Sequence, residues 1–315
     1  MRLIYHLGYP RTGTTLLQHR IFRHHPEINY LGPKSYDENY KVQIDQKKID
    51  EFEIFFQNNK NLNYNELNKK IDIKIFSNQK VNIFSSEAYL FCKKYEKYDG
   101  LIALKNFLKS QFDLKFGVIY TIRNQYELIE SIYHQSYGHL KTFLKSKNIE
   151  ELIHKIENRT FSENGNVFHF LKAYDFNYTY ENIKKKFTDA DIKILNFKDL
   201  NDNPDKYYTE LSNFLHVDLN ELKKRVPNKR ENPSKIEDNK KILQSEFQRV
   251  ISENRFYKKI KFIIPSYIKD KILNFSYTKK KINKEDEIKM KKIVEKFYSK
   301  SNENFEKKTG IKIFW

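Results

Sequence analysis

Cysteine is nearly absent. Cys92 is the one thiol among 315 residues, which excludes an intramolecular disulfide and any multi-cysteine zinc or iron–sulfur centre. Glycine is scarce, with 8 residues, and no Gly/Ser-rich linker divides the chain. No apolar run approaches the roughly 18–20 residues of a membrane span. The N-terminal MRLIYHLGYPRTG lacks the apolar stretch of a signal peptide, so a soluble, reducing, cytoplasmic setting is expected. Acidic residues are in deficit. Asp+Glu is 41 against 59 Lys+Arg, a formal charge of +18. Such a field favours anionic ligands: nucleotides, phosphorylated glycans, membrane surfaces or nucleic acids. Apolar residues still make up 39% and aromatics 15%, enough to exclude a disordered chain and to build a core.

What is present alternates between strands and helices. RLIYHLG (2–8) is a short apolar run ending at Gly8 and reads as a buried strand. A turn, YPRTG, follows, and then a helix of about three turns over TTLLQHRIFRHHPEI, with His24 and His25 solvated at its end. KVNIFSS (80–86), KFGVIYTI (115–122) and DIKILNF (191–197) read as further buried strands. Helices are expected over 100–112, 125–140, 166–187 and 203–217, the last capped by Asn203 with Pro204 in its first turn. Strands apolar throughout and separated by helices indicate a parallel sheet of about five strands covered on both faces. The whole of 1–315 reads as a single domain. Residues 34–80 are polar and resemble an insertion or substrate-facing segment, and 238–315 form a basic, helical C-terminal extension.

Between the first strand and the first helix lies Gly8-Tyr9-Pro10-Arg11-Thr12-Gly13-Thr14-Thr15. Backbone N–H groups of such a loop converge on one point, and the helix N-terminus adds partial positive charge. This is a cradle for phosphate or sulfate. Gly13 permits close approach, the hydroxyls of Thr14 and Thr15 add donors, and Arg11 reaches over the anion. Written against a Walker A motif, Thr14 stands where the lysine belongs, which counts against an ATP or GTP hydrolase.

The stretch Pro10-Arg11-Thr12-Gly13-Thr14-Thr15 resembles the 5′-phosphosulfate loop of the sulfotransferases that use phosphoadenosine phosphosulfate (PAPS), with Arg11 in place of the more common lysine. Arg123 at a strand end, followed eight residues later by Ser131 on a helix, resembles the family's 3′-phosphate motif, and arginine pairs well with phosphate. The segment 191–217 is similar to the family's late strand–helix unit. NKRENPS (228–234) resembles the loop that closes over the 3′-phosphate and adenine, with Lys229, Arg230, Asn232 and Ser234 as candidate contacts. The resemblance, closest to bacterial carbohydrate sulfotransferases, implies a P-loop-containing nucleotide-binding fold, PAPS as donor and PAP as product, and no metal.

Sulfuryl transfer to an alcohol needs a base. The resemblance points to Glu87, just past the strand in NIFSSEAY, at the sheet edge where ligands of parallel sheets bind. Two other readings of Glu87 stand beside it: an acid at a helix N-terminus capped by Ser85 or Ser86, and an Mg²⁺-binding acid. His134 and His139 are reserve bases, while His6 reads as packed. Tyr174, Phe176, Tyr178 and Tyr180 line either an acceptor groove or the core. A glycan or glycolipid acceptor is implied, with peripheral membrane contact through FIIPSYI (262–268) and no specific nucleic acid. The alternatives from other classes are a P-loop kinase of a small metabolite and a non-enzymatic polyanion binder driven by charge.

Overall fold

Arg2–Gly8, buried from Leu3 onward, is the central strand (β1) of the computed structural model. Residues 1–32, 72–87, 90, 98–135, 137–163, 165–226 and 283–313 are described. Cys92, most of the 34–80 segment, the 228–234 loop and the 262–268 stretch lie outside them.

Four more strands complete the sheet: β2 (Ile28–Tyr30), β3 (Val81–Ser85), β4 (Lys115–Ile122) and β5 (Asp191–Asn196). They run in the order β2-β3-β1-β4-β5 and every pairing is parallel. The expected five-stranded parallel sheet is therefore present. Register places His6 beside Ser85 on one side and Gly8 beside Thr121 on the other. Side chains alternate across β1, so Ile4 and Tyr5 serve opposite faces. Ile4 packs with Ile21, Phe22, Ile83, Leu211 and Leu215. Tyr5 packs edge-on to Phe116 at 4.9 Å between centroids and donates its hydroxyl to the carbonyl of Leu101.

Among the described residues the helices are α1 (Thr14–Leu16), which winds on as a π-helix over Leu17–Phe22, α2 (Asp99–Gln111), α3 (Gln125–Gln135), α4 (Tyr137–Leu144), α5 (Ile149–Asn158), α6 (Asn166–Ala173), α7 (Phe176–Lys186), α8 (Phe197–Asp202), α9 (Pro204–Leu215), α10 (Leu219–Lys223) and α11 (Lys284–Thr309). Asn203 caps α9 through the Lys206 N–H, and Pro204 occupies its first turn, as the sequence predicts. The described residues within 1–124, 172–229 and 301–314 form one compact unit, and those within 125–171 and 230–300 form a second. The first holds the sheet. The second has its own core, including Leu152, Ile153, Ile156 and Phe170, pinned by a hydrogen bond from the Tyr133 hydroxyl to the Ser146 carbonyl.

Four local expectations are corrected. The helix expected over 166–187 is two helices, because the Asp175 carboxylate accepts from the Tyr178 N–H and starts a new one. The helix expected over 125–140 is likewise divided, into α3 and α4. The first helix is α-helical for three residues only, and its π-wound continuation buries Leu17, Gln18, Ile21 and Phe22 together. The last residue of the span read as this helix, Ile28, opens β2 instead, and His25, expected in solvent, is buried against the Asp218 carbonyl at 3.2 Å.

Candidate active site

The direction of the chain's crossovers changes at β1. Its own connection runs toward β2, while those of its neighbours β3 and β4 run the other way, to β4 and β5. Parallel sheets bind ligands outside the carboxyl ends of strands at such a point. The segments leaving β1, β3 and β4 there carry the glycine loop, Glu87 and Arg123.

The loop is held open by close contacts and unusual dihedrals. A Cβ on Gly8 would lie 2.2 Å from Thr14 Cγ2, so only glycine lets the threonine fold back over the strand end. Gly13 has φ 79° and sits on Leu200 and Phe197, where a Cβ would lie 2.9 Å and 3.3 Å from their side chains. Arg11 also has positive φ, 71°. Such a conformation in a non-glycine residue is costly and persists only where its surroundings impose it. Arg123 is part of that surrounding. Its Nη1 donates to the Arg11 carbonyl at 3.0 Å, and its guanidinium lies 4.9 Å from the Phe197 ring centroid.

The threonines differ. Thr12 is buried and donates its hydroxyl to the Tyr9 carbonyl at 2.7 Å, closing the turn from inside. Thr15 is exposed and Pro10 is half-buried. Thr14 is buried, and its hydroxyl donates to the Glu87 carboxylate. Burial raises the pKa of Glu87 above the usual carboxylate range; the Thr14 hydrogen bond and the Arg11 charge oppose that rise. Two groups 73 residues apart in sequence, singled out separately, thus meet directly.

Beneath this pair lies a buried polar chain. Gln18 Nε2 donates to Ser85 Oγ at 2.8 Å, and Ser85 Oγ is 2.7 Å from His6 Nδ1. An arrangement in which Ser85 donates to Nδ1 satisfies all three groups and leaves His6 neutral, its proton on Nε2 facing Thr121 Oγ1 at 3.5 Å. Burial holds the His6 pKa down to about 3. His6 is therefore a packed, neutral support, and the Ser85 hydroxyl serves this chain. Gln18 and Thr121 carried no motif. Their signal was a polar residue on the buried face of an apolar element.

A second support lies under Tyr9, whose hydroxyl is 3.0 Å from Thr179 Oγ1 and 3.3 Å from the Tyr120 hydroxyl. Tyr174 and Phe176 are fully buried against the Tyr9 ring, so these two are packing residues. Tyr178 and Tyr180 are half-buried. Ser131 is on α3, in the second unit, while Arg123 belongs to the first. His134 and His139 fall on α3 and α4. Lys229, Arg230, Asn232 and Ser234 lie outside the described residues. Among the described residues no three His, Cys, Asp or Glu side chains are grouped to hold a metal ion, and no helix is long and apolar enough to cross a membrane.

No protein-family model matches the chain, and no curated protein matches it in sequence. Among solved structures it is similar to a sulfotransferase from Alicyclobacillus acidocaldarius, with a TM-score of 0.40 and 14% identity over 81% of this chain and 91% of that one. It is also similar to the sulfotransferase domain from the curacin biosynthetic pathway, with a TM-score of 0.31 and 15% identity over 79% of this chain and 96% of that one. Both overlaps are loose, and likeness at this level bears on neither substrate nor residue roles.

Proposed function

We propose that the protein is a PAPS-dependent sulfotransferase that moves a sulfuryl group onto a hydroxyl or amine of a glycan. The observation that carries this reading is the Thr14–Glu87 hydrogen bond. It joins the glycine loop to a half-buried carboxylate, which supports a scheme in which a phosphate held by the loop would lie beside the base, with no Walker lysine between them.

Each residue has a task in the scheme. The loop N–H groups with Thr14 and Thr15 hold the 5′-phosphate. Arg123, already braced on the loop carbonyl of Arg11, and Ser131 take the 3′-phosphate, and Lys229, Arg230, Asn232 and Ser234 complete the nucleotide site. Glu87 takes the proton of the acceptor hydroxyl as its oxygen bonds to sulfur. The bond from sulfur to the bridging phosphate oxygen breaks in line, and its electron pair leaves with PAP. Arg11 stabilises the negative charge that gathers on the equatorial and leaving oxygens. A carboxylate whose burial raises its pKa is a stronger base than an exposed one.

The test is calorimetric titration with PAP, with ATP–Mg²⁺ and adenosine 5′-phosphosulfate as comparisons. Micromolar PAP binding that Arg123→Ala weakens at least about tenfold, a loss of about 1.4 kcal/mol, is the expected result. Binding of ATP–Mg²⁺ with no preference for PAP rejects the reading in favour of a kinase.

A further inference from the structure

The Thr14 hydroxyl has one proton, and two acceptors compete for it. In the structure it donates to Glu87. On the reading above, the donor's 5′-phosphate takes the same hydroxyl. Thr14 cannot donate to both. We propose that Thr14 is a positioning residue for Glu87 that is handed over to the phosphate when the donor binds, so that donor binding makes the Glu87 carboxylate take up a proton from solvent. The inference rests on the sulfotransferase reading but concerns a property that reading does not require.

The sign follows from the groups around the carboxylate. Handing over Thr14 removes a donor that favours the charged form. The phosphate adds negative charge close by, and it draws on the Arg11 charge, which the carboxylate otherwise feels. All three changes favour the neutral acid. Nothing described opposes them. The Tyr30 phenol on β2 also feels the Glu87 charge, and burial holds it protonated; the Arg23 guanidinium stacks over its ring at 5.4 Å. His6, reached through Ser85, is held neutral. Burial already places the free carboxylate above its usual range, so a further rise brings its titration toward neutral pH.

The consequence for turnover is an ordered use of the base. Before the donor binds, Glu87 is tied to the loop and screened by Arg11. Once it binds, the carboxylate loses its hydrogen bond; the molecules in which it stays ionised hold the more basic partner for an acceptor hydroxyl, and those in which it has taken up a proton wait until that proton is lost. Product PAP keeps the phosphate in place, so the proton gained from the acceptor is retained until PAP leaves.

The experiment is titration of the full chain with PAP at pH 6–7 in buffers of different ionisation enthalpy, which reads protons taken up per ligand bound. We expect wild type to take up more protons per PAP bound than a chain without this carboxylate. Glu87→Gln, which still binds PAP, should lack this share and show only the protons exchanged by the PAP phosphates themselves. The share should shrink in Thr14→Val, whose free carboxylate already lacks the donor, and return in Thr14→Ser. A Thr14 that only supports the fold would not move this quantity. Wild type and Glu87→Gln that bind PAP with the same net proton count overturn the inference and leave the sulfotransferase reading standing. Absence of PAP binding overturns both.

Discussion

Glu87 holds a charge where burial disfavours it, and that has a cost in stability. Its folded pKa lies above the ordinary carboxylate value of 4.5. Above that value the folded state therefore binds more protons than the unfolded one, and stability from this group falls as pH rises. Glu87→Gln keeps an acceptor for Thr14 and removes the charge. It should abolish transfer and raise the thermal midpoint at pH 7, as seen by differential scanning calorimetry; a lowered midpoint would contradict the placement of this carboxylate. His6 acts in the opposite sense. It titrates at about 3 when folded against 6.5 when free, so the unfolded chain binds the extra proton between those values and stability is lost as pH falls. Denaturant titrations should show wild type losing about 1.4 kcal/mol per pH unit more than His6→Asn across that window.

Among the elements, the strand–loop–helix opening was legible because its signals are local: an apolar run, Gly8, then Gly13 and the threonines within a few residues. The pairing of Thr14 with Glu87 was legible only in part. Glu87 could be placed past a strand end, but which loop group it meets depends on β3 lying next to β1, and no spacing encodes that. The edge strand β2 spans three residues, too few for a period to show. The break between α6 and α7 did carry a signal, since Asp175 is a capping residue type; the unbroken aromatic pattern concealed it. Between α2 and the turn before β5, Lys105 donates to Asp189 at 2.5 Å and Lys109 at 3.0 Å, and these contacts hold the Asp189 pKa down to about 2. The two lysines are not equivalent, since Lys105 is buried and Lys109 is 59% exposed. Asp189→Asn should destabilise by about 1–2 kcal/mol because it strips a buried ammonium of its counter-charge. Lys109→Met should cost less than about 0.5 kcal/mol. Equilibrium unfolding in urea compares the two.

At the scale of the whole molecule, the floor of the glycine loop reaches far along the chain. Tyr9 stacks near Tyr120 and Phe176, and both rings meet Phe305 of α11, at 6.5 Å and 6.2 Å between centroids. Phe305 is fully buried. Phe305→Ala should cost about 3–5 kcal/mol in unfolding free energy, and PAP affinity should fall with it although no atom of Phe305 belongs to the proposed site. If affinity is unchanged while stability drops, the aromatic stack is packing without influence on the loop. The 34–80 segment resisted sequence reading because its apolar residues are unevenly spaced among Lys, Asn and Asp, as in Ile54-Phe55-Phe56, so neither helical nor strand period is sustained.

That stack also has a consequence in time. Residues 8–15 are synthesised almost 300 residues ahead of the ring that closes their floor. A nascent chain can pair β1 with β3 and β4 well before then, yet the rings beneath Tyr9 lack their Phe305 contact until α11 has been synthesised. Premature termination between Glu87 and that helix would release a chain that has every residue of the loop and Glu87 but lacks Phe305, so an intact glycine motif in a shortened product is no guide to whether it can hold an anion.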